Sequence, residues 1–116
     1  MAEPSIFTRI VDREIPADIV FENERVIAFT DIAPKAPVHL LVVPKATDYA
    51  NVTELAAGDP DLLAEIVAVA QSLADERTGG QYRLIFNTGE NVGQTVFHVH
   101  AHVLGGYLPE GTLGFD

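Results

Sequence analysis

The chain has 116 residues, 47% of them hydrophobic and 21% charged, and its formal net charge is −10. That length supports a single domain, residues 1–116, with a self-sufficient core. The charge excludes bulk binding to nucleic acid or to an anionic membrane, and the absence of cysteine excludes disulfides and thiolate metal sites. Met1-Ala2-Glu3-Pro4 begins no basic-then-apolar leader, and no apolar run nears the ~20 residues that cross a bilayer, so a cytoplasmic location is expected.

Ser5 is placed to cap a short helix running to Arg13, with Ile6, Phe7, Ile10 and Val11 near one apolar face and Pro16 as its stop. Ile19-Val20-Phe21 and Val26-Ile27-Ala28-Phe29 read as strands joined by a turn at Glu22-Asn23-Glu24. After the proline-punctuated stretch Ile32 to Pro37 comes a third strand, Val38 to Val43, stopped by Pro44. Asp59 as N-cap, Pro60 at the first helical position and Asp61 in the first turn open the main helix. Leu62, Leu63, Ile66, Val69, Ala70 and Leu73 recur at helical spacing, and Gly79-Gly80 end the element after Thr78. A fourth strand, Tyr82 to Phe86, leads through the loop Asn87 to Thr95 into Phe97-His98-Val99-His100-Ala101-His102-Val103-Leu104-Gly105-Gly106. The pattern predicts an α+β fold: an antiparallel five-stranded sheet with one main helix and a short N-terminal helix.

All four histidines of the chain are His39, His98, His100 and His102. On a strand, positions i, i+2 and i+4 share a face, so the last three project together about 6.7 Å apart, while Val99, Ala101 and Val103 face a core. Three uses compete. A solvated strand face is disfavoured, because no Lys, Glu or Thr is interleaved with the imidazoles. A metal site would need further ligands, and only His39 with Asp31 or Asp48 is available. Nucleophilic catalysis at phosphorus fits imidazole well, since a pKa near ~6.5 leaves much of it neutral and nucleophilic at physiological pH. Such chemistry also needs donors for phosphate oxygens, and Asn87, Gly93, Gln94 and Thr95 lie in the adjoining loop.

His98-Val99-His100-Ala101-His102-Val103-Leu104 resembles the motif of the histidine triad (HIT) superfamily. Gly105-Gly106, Gly93-Gln94-Thr95-Val96-Phe97, Ser5-Ile6-Phe7 with Glu14-Ile15-Pro16-Ala17, and Phe29 to Pro34 leading into Pro37 to Lys45 are similar to its Hint branch. The resemblance spans about Ser5 to Gly106. It implies a purine-nucleotide-binding homodimer that hydrolyses nucleoside 5′-phosphoramidates through a covalent nucleotidyl-histidine, with no cofactor. By the same resemblance His100 is the nucleophile, His98 and His102 flank it, and His39 buttresses them. Asn87, Gly93 and Thr95 then serve phosphate and leaving group, and Asp31 the ribose hydroxyls. Ile6, Phe7, Ile10, Phe29 and Ile32 form the base pocket; from the residues alone these five are ordinary core and Asp31 a turn residue.

Two departures from the family bear on function. Ser5 and Thr8 occupy the positions of a Cys-x-x-Cys that ligates zinc in many bacterial members, and Ala46-Thr47-Asp48 follow Pro44-Lys45 with no histidine, so no metal is expected. Some relatives also carry a C-terminal tryptophan that reaches the partner subunit's site. Here only Tyr107 or Phe115 stands near that place. The alternatives left open are a dinucleoside polyphosphate hydrolase of the same superfamily and a non-catalytic purine nucleotide-binding or regulatory module.

Overall fold

The computed structural model describes residues 4–108; Met1-Ala2-Glu3 and Phe115 lie outside them. Along the chain run α1 (Ile6–Val11), β1 (Ile19–Glu22), β2 (Val26–Thr30), β3 (Val38–Pro44), α2 (Val52–Gly58), α3 (Pro60–Arg77), β4 (Arg83–Ile85), a 3₁₀ turn (Glu90–Val92) and β5 (Ala101–Gly105). The strands form one antiparallel sheet in the order β1-β2-β3-β5-β4, the α+β architecture expected.

Register decides which side chains share a face. Phe29 pairs with Leu41 and Ile27 with Val43, while Leu41 pairs with His102 and His39 with Leu104. Phe29, His39, Leu41 and His102 therefore project to one side, where Phe7 and Ile10 of α1 complete a small core with Ile27 and Val43. The opposite face carries Val26, Ala28, Leu40, Val42, Ala101 and Val103, and these pack with Leu62, Ile66, Val69, Ala70 and Leu73 of α3. Val99, Ala101 and Val103 thus do turn to the main core. Fully buried Ile66 and Leu62 each contribute roughly 1.5–3 kcal/mol of apolar burial there.

α3 begins as its sequence requires. Asp59 caps Leu62 N–H at 3.1 Å, and Pro60 holds the first helical position. Gly105 is a close-approach glycine, because a Cβ at that position would stand 2.3 Å from Thr78 Cγ2 at the end of α3.

Several boundaries differ from expectation; β1, β2 and β3 each run one residue further, to Glu22, Thr30 and Pro44. α1 stops at Val11, two residues short of Arg13, because Arg13 turns left-handed (φ 64°) and the Glu14 N–H bonds back to Arg9 C=O at 2.8 Å. β4 is shorter by a residue at each end. β5 begins at Ala101 instead of Phe97: continuing the register beyond Val42–Ala101 brings Val99 opposite Pro44, which has no N–H to give. The Val99 amide bonds Tyr49 C=O instead, at 3.0 Å. Finally, α2 had no counterpart in the sequence reading. Its signal is Asn51 capping Glu54 N–H at 2.9 Å while the Glu54 carboxylate accepts from Ala50 N–H at 3.0 Å.

Candidate active site

The segment 98–100 and the start of β5 bring the three clustered imidazoles against α1 and β3. The Phe7 ring lies edge-on to both His98 and His100, with centroids at 5.7 and 4.8 Å. His100 and His102 are edge-on at 5.1 Å, and His102 meets His39 at 5.3 Å. His39, His98 and His102 are buried, whereas His100 is partly exposed. One imidazole of the four thus meets solvent.

Each ring's tautomer follows from groups able to act in only one sense. His100 Nδ1 lies 2.9 Å from the His98 carbonyl, which only accepts, so Nδ1 carries the proton and Nε2 keeps its lone pair. Among the described residues no partner takes that lone pair. His98 Nε2 donates to Pro44 C=O at 2.7 Å, so its Nδ1 accepts from the Ser5 hydroxyl at 2.6 Å. His39 Nδ1 accepts from the Lys35 backbone N–H at 3.0 Å, which places its proton on Nε2. That Nε2–H faces His102 Nδ1 at 3.0 Å and Asp31 Oδ2 at 3.4 Å. His102 therefore accepts at Nδ1 and carries its own proton on Nε2.

These assignments need neutral rings, and burial supplies them. Loss of solvation holds His98, His100 and His39 below the usual histidine range. His102 is pushed down to about 4, by burial first and then by the neighbouring His100 and His39. At neutral pH the four imidazoles are therefore uncharged. The partly exposed His100 keeps its Nε2 lone pair, with buried His102 beside it and the Asp31 carboxylate behind.

Asp31, His39 and His102 are the residues whose ligand atoms converge, all within 4.8 Å. The hydrogen bonds argue against a metal there. A cation on His39 Nε2 would move that ring's proton to Nδ1, against the Lys35 N–H. Nor do the residues at the family's zinc positions fit zinc: Ser5 and Thr8 offer neutral hydroxyls, and Ser5 already donates to His98 Nδ1.

The other expected site residues divide. Asp31 makes a turn through Oδ1, which accepts from Ala33 N–H at 2.8 Å, and turns Oδ2 to His39. Asn87 lies over Gly93, its Nδ2 3.9 Å from where a Cβ would stand; Gly93 itself has φ 95°. Thr95 lines a cleft of about 760 Å³ with Ser5, Ile6, Thr8, Phe97 and His98. Gln94 is a correction. It is buried, its amide donates to Ala50 C=O (2.6 Å) and Val96 C=O (3.1 Å), and its Oε1 accepts from Gly89 N–H. Its backbone N–H bonds Gly89 C=O, so Gln94 braces the loop and has no donor left for a phosphate. Of the five apolar residues, Phe7, Ile10 and Phe29 are core beneath the histidines and Ile6 lines the cleft, while Ile32 is 93% exposed beyond Asp31. Sequence reasoning missed the parts played by Lys35 and Pro44, whose contributions are a backbone N–H and a backbone C=O that leave no side-chain signal, and by the Ser5 hydroxyl on His98.

Residues 4–113 match a family model described as scavenger mRNA decapping enzyme C-term binding. An HIT-like protein of Synechocystis is 46% identical over 110 residues, covering 91% of this chain and 93% of that protein. The purine nucleoside phosphoramidase of Escherichia coli K12 is 42% identical over 108 residues, covering 91% of this chain and 90% of that enzyme. Among solved structures, an HIT family hydrolase from Clostridium thermocellum superposes with a TM-score of 0.85 at 42% identity, covering all of this chain and 98% of that one.

Proposed function

The chain belongs to the histidine triad superfamily, and from that premise we propose that it hydrolyses purine nucleoside 5′-phosphoramidates to a nucleoside monophosphate and an amine. One observation carries the reading: the partly exposed imidazole, His100, is the one whose Nδ1 proton is tied to a backbone carbonyl, leaving Nε2 as a ready nucleophile. The similarity to a phosphoramidase of matching length supports the substrate class.

In this scheme His100 Nε2 attacks the α-phosphorus in line with the departing nitrogen. A bond from phosphorus to Nε2 forms and the bond to the amine breaks, the departing nitrogen taking a proton from solvent. His102 Nε2–H, Asn87 and Thr95 donate to the charge that develops on the phosphate oxygens. Water then adds to phosphorus and gives a proton back to solvent, the bond to Nε2 breaks, and His100 returns neutral. Asp31 takes the ribose hydroxyls, Ile6, Phe7, Ile10, Phe29 and Ile32 border the base, and Gly93 lets the loop backbone approach. His98 and His39 orient the ring. We assign the protein a cytoplasmic location and a homodimeric state.

The test is direct. His100→Gly abolishes turnover of a purine phosphoramidate and retains binding of the nucleoside monophosphate by calorimetry. Mass spectrometry of the quenched parent enzyme finds a nucleotide adduct on His100. Unchanged hydrolysis in the variant ends the proposal, and faster cleavage of a dinucleoside triphosphate than of the phosphoramidate reassigns the substrate.

A further inference from the structure

The Ser5 hydroxyl stands at a junction between the first turn of the chain and the nucleophile 95 positions on. Ser5 Oγ accepts from Thr8 N–H at 3.1 Å and so caps α1. The same oxygen lies 2.6 Å from His98 Nδ1, across 93 residues of sequence. Because His98 Nε2–H is committed to Pro44 C=O, the one proton available for the Ser5–His98 contact is the hydroxyl's own. The His98 ring is thus held at both nitrogens, by α1 on one side and the end of β3 on the other. The carbonyl of this clamped residue is the acceptor that sets the tautomer and the orientation of His100. Phe7, two residues beyond Ser5, closes the same arrangement by lying against both rings.

We propose that Ser5 is a positioning residue for the nucleophile: its hydroxyl proton clamps the His98 ring, and the clamped His98 carbonyl aims His100 Nε2. This rests on the hydrolase reading above. A side chain that only capped the helix would need to accept a hydrogen bond. One that positions His100 must also donate.

That difference makes the role separable from folding. Ser5→Thr keeps donor and acceptor, and turns over at close to the parental rate. Ser5→Gly keeps most of the cap, since glycine is tolerated at an N-cap, but it has no proton for His98 Nδ1. Ser5→Ala removes both functions. We expect Ser5→Gly and Ser5→Ala to lower kcat about tenfold, in the range for a slightly misaimed reacting group, with KM unchanged. Nitrogen-15 spectra of the histidine rings show His98 protonated at Nε2 alone in the parent and in Ser5→Thr, and the His98 Nδ1 resonance moved to that of an unbonded acceptor in Ser5→Gly and Ser5→Ala. Parental kcat in Ser5→Gly, a loss confined to KM, or an equal loss in Ser5→Thr overturns the assignment. So does a parent whose His98 is protonated at Nδ1. A parent that fails to cleave phosphoramidates overturns the function instead, while the ring spectra still decide whether the clamp exists.

Discussion

His102 offers a quantitative test of the electrostatics. Its pKa is pushed from 6.5 to about 4 in the fold, so below pH 6.5 the unfolded chain binds a proton that the native state refuses. Stability is therefore complete above pH 6.5 and is lost as the pH falls toward 4. Between pH 7 and pH 5 the unfolded imidazole gains most of a proton while the native one gains about a tenth, a cost of about 2 kcal/mol. His102 is 9% exposed, so solvent screening does little to reduce that figure. Acidification also relieves the net negative charge, which acts the opposite way, so the measurement has to be differential. His102→Gln keeps an acceptor for His39 Nε2–H and does not titrate. Urea unfolding followed by far-ultraviolet circular dichroism at the two pH values should show the parent's midpoint dropping about 1 M further than the variant's, for an m-value of a few kcal/mol/M. Equal drops in parent and variant would refute the buried, neutral His102 and the tautomer chain built on it.

Gly105→Ala forces a Cβ to within 2.3 Å of Thr78 Cγ2, at a cost of about 1–3 kcal/mol in a thermal melt; adding Thr78→Ser removes that methyl and recovers part of the loss. Asn51→Ala, by removing the cap of α2, lowers stability by about 1 kcal/mol in urea titrations, and no change would mean the cap is idle. Asp31→Asn keeps the acceptor for Ala33 N–H but loses the carboxylate. We expect nucleoside monophosphate to bind about tenfold more weakly by calorimetry, with the melting temperature nearly unchanged.

What the sequence disclosed, and what it concealed, divides along physical lines. Asp59-Pro60 and the apolar spacing from Leu62 to Leu73 announced α3, because cap, dipole and periodicity all agree there. The alternation from His98 to Val103 placed the histidines opposite the main core although β5 proper starts later. α2 escaped because it is short, buries Leu55 alone among its residues, and runs into Asp59-Pro60 without a polar break. The end of α1 escaped because a left-handed arginine did the work usually given to glycine. Gln94 read as a donor from composition. Only its backbone surroundings reveal that the amide is already spent.

The site's chemistry turns on a contest between a global and a local effect. A net charge of −10 favours protonated histidines, yet all four are held below the ordinary imidazole range. Surface carboxylates act through solvent and are screened beyond about 8–10 Å, whereas loss of hydration acts at the ring itself. Burial therefore wins, and the tautomers are then set by backbone groups: Pro44 C=O, His98 C=O and Lys35 N–H. Peptide dipoles do not titrate, so the lone pair on His100 stays aimed across the pH range in which the rings stay neutral. As the proposed nucleophile, His100 needs no adjacent base to activate it; it needs the backbone around it to stay where it is.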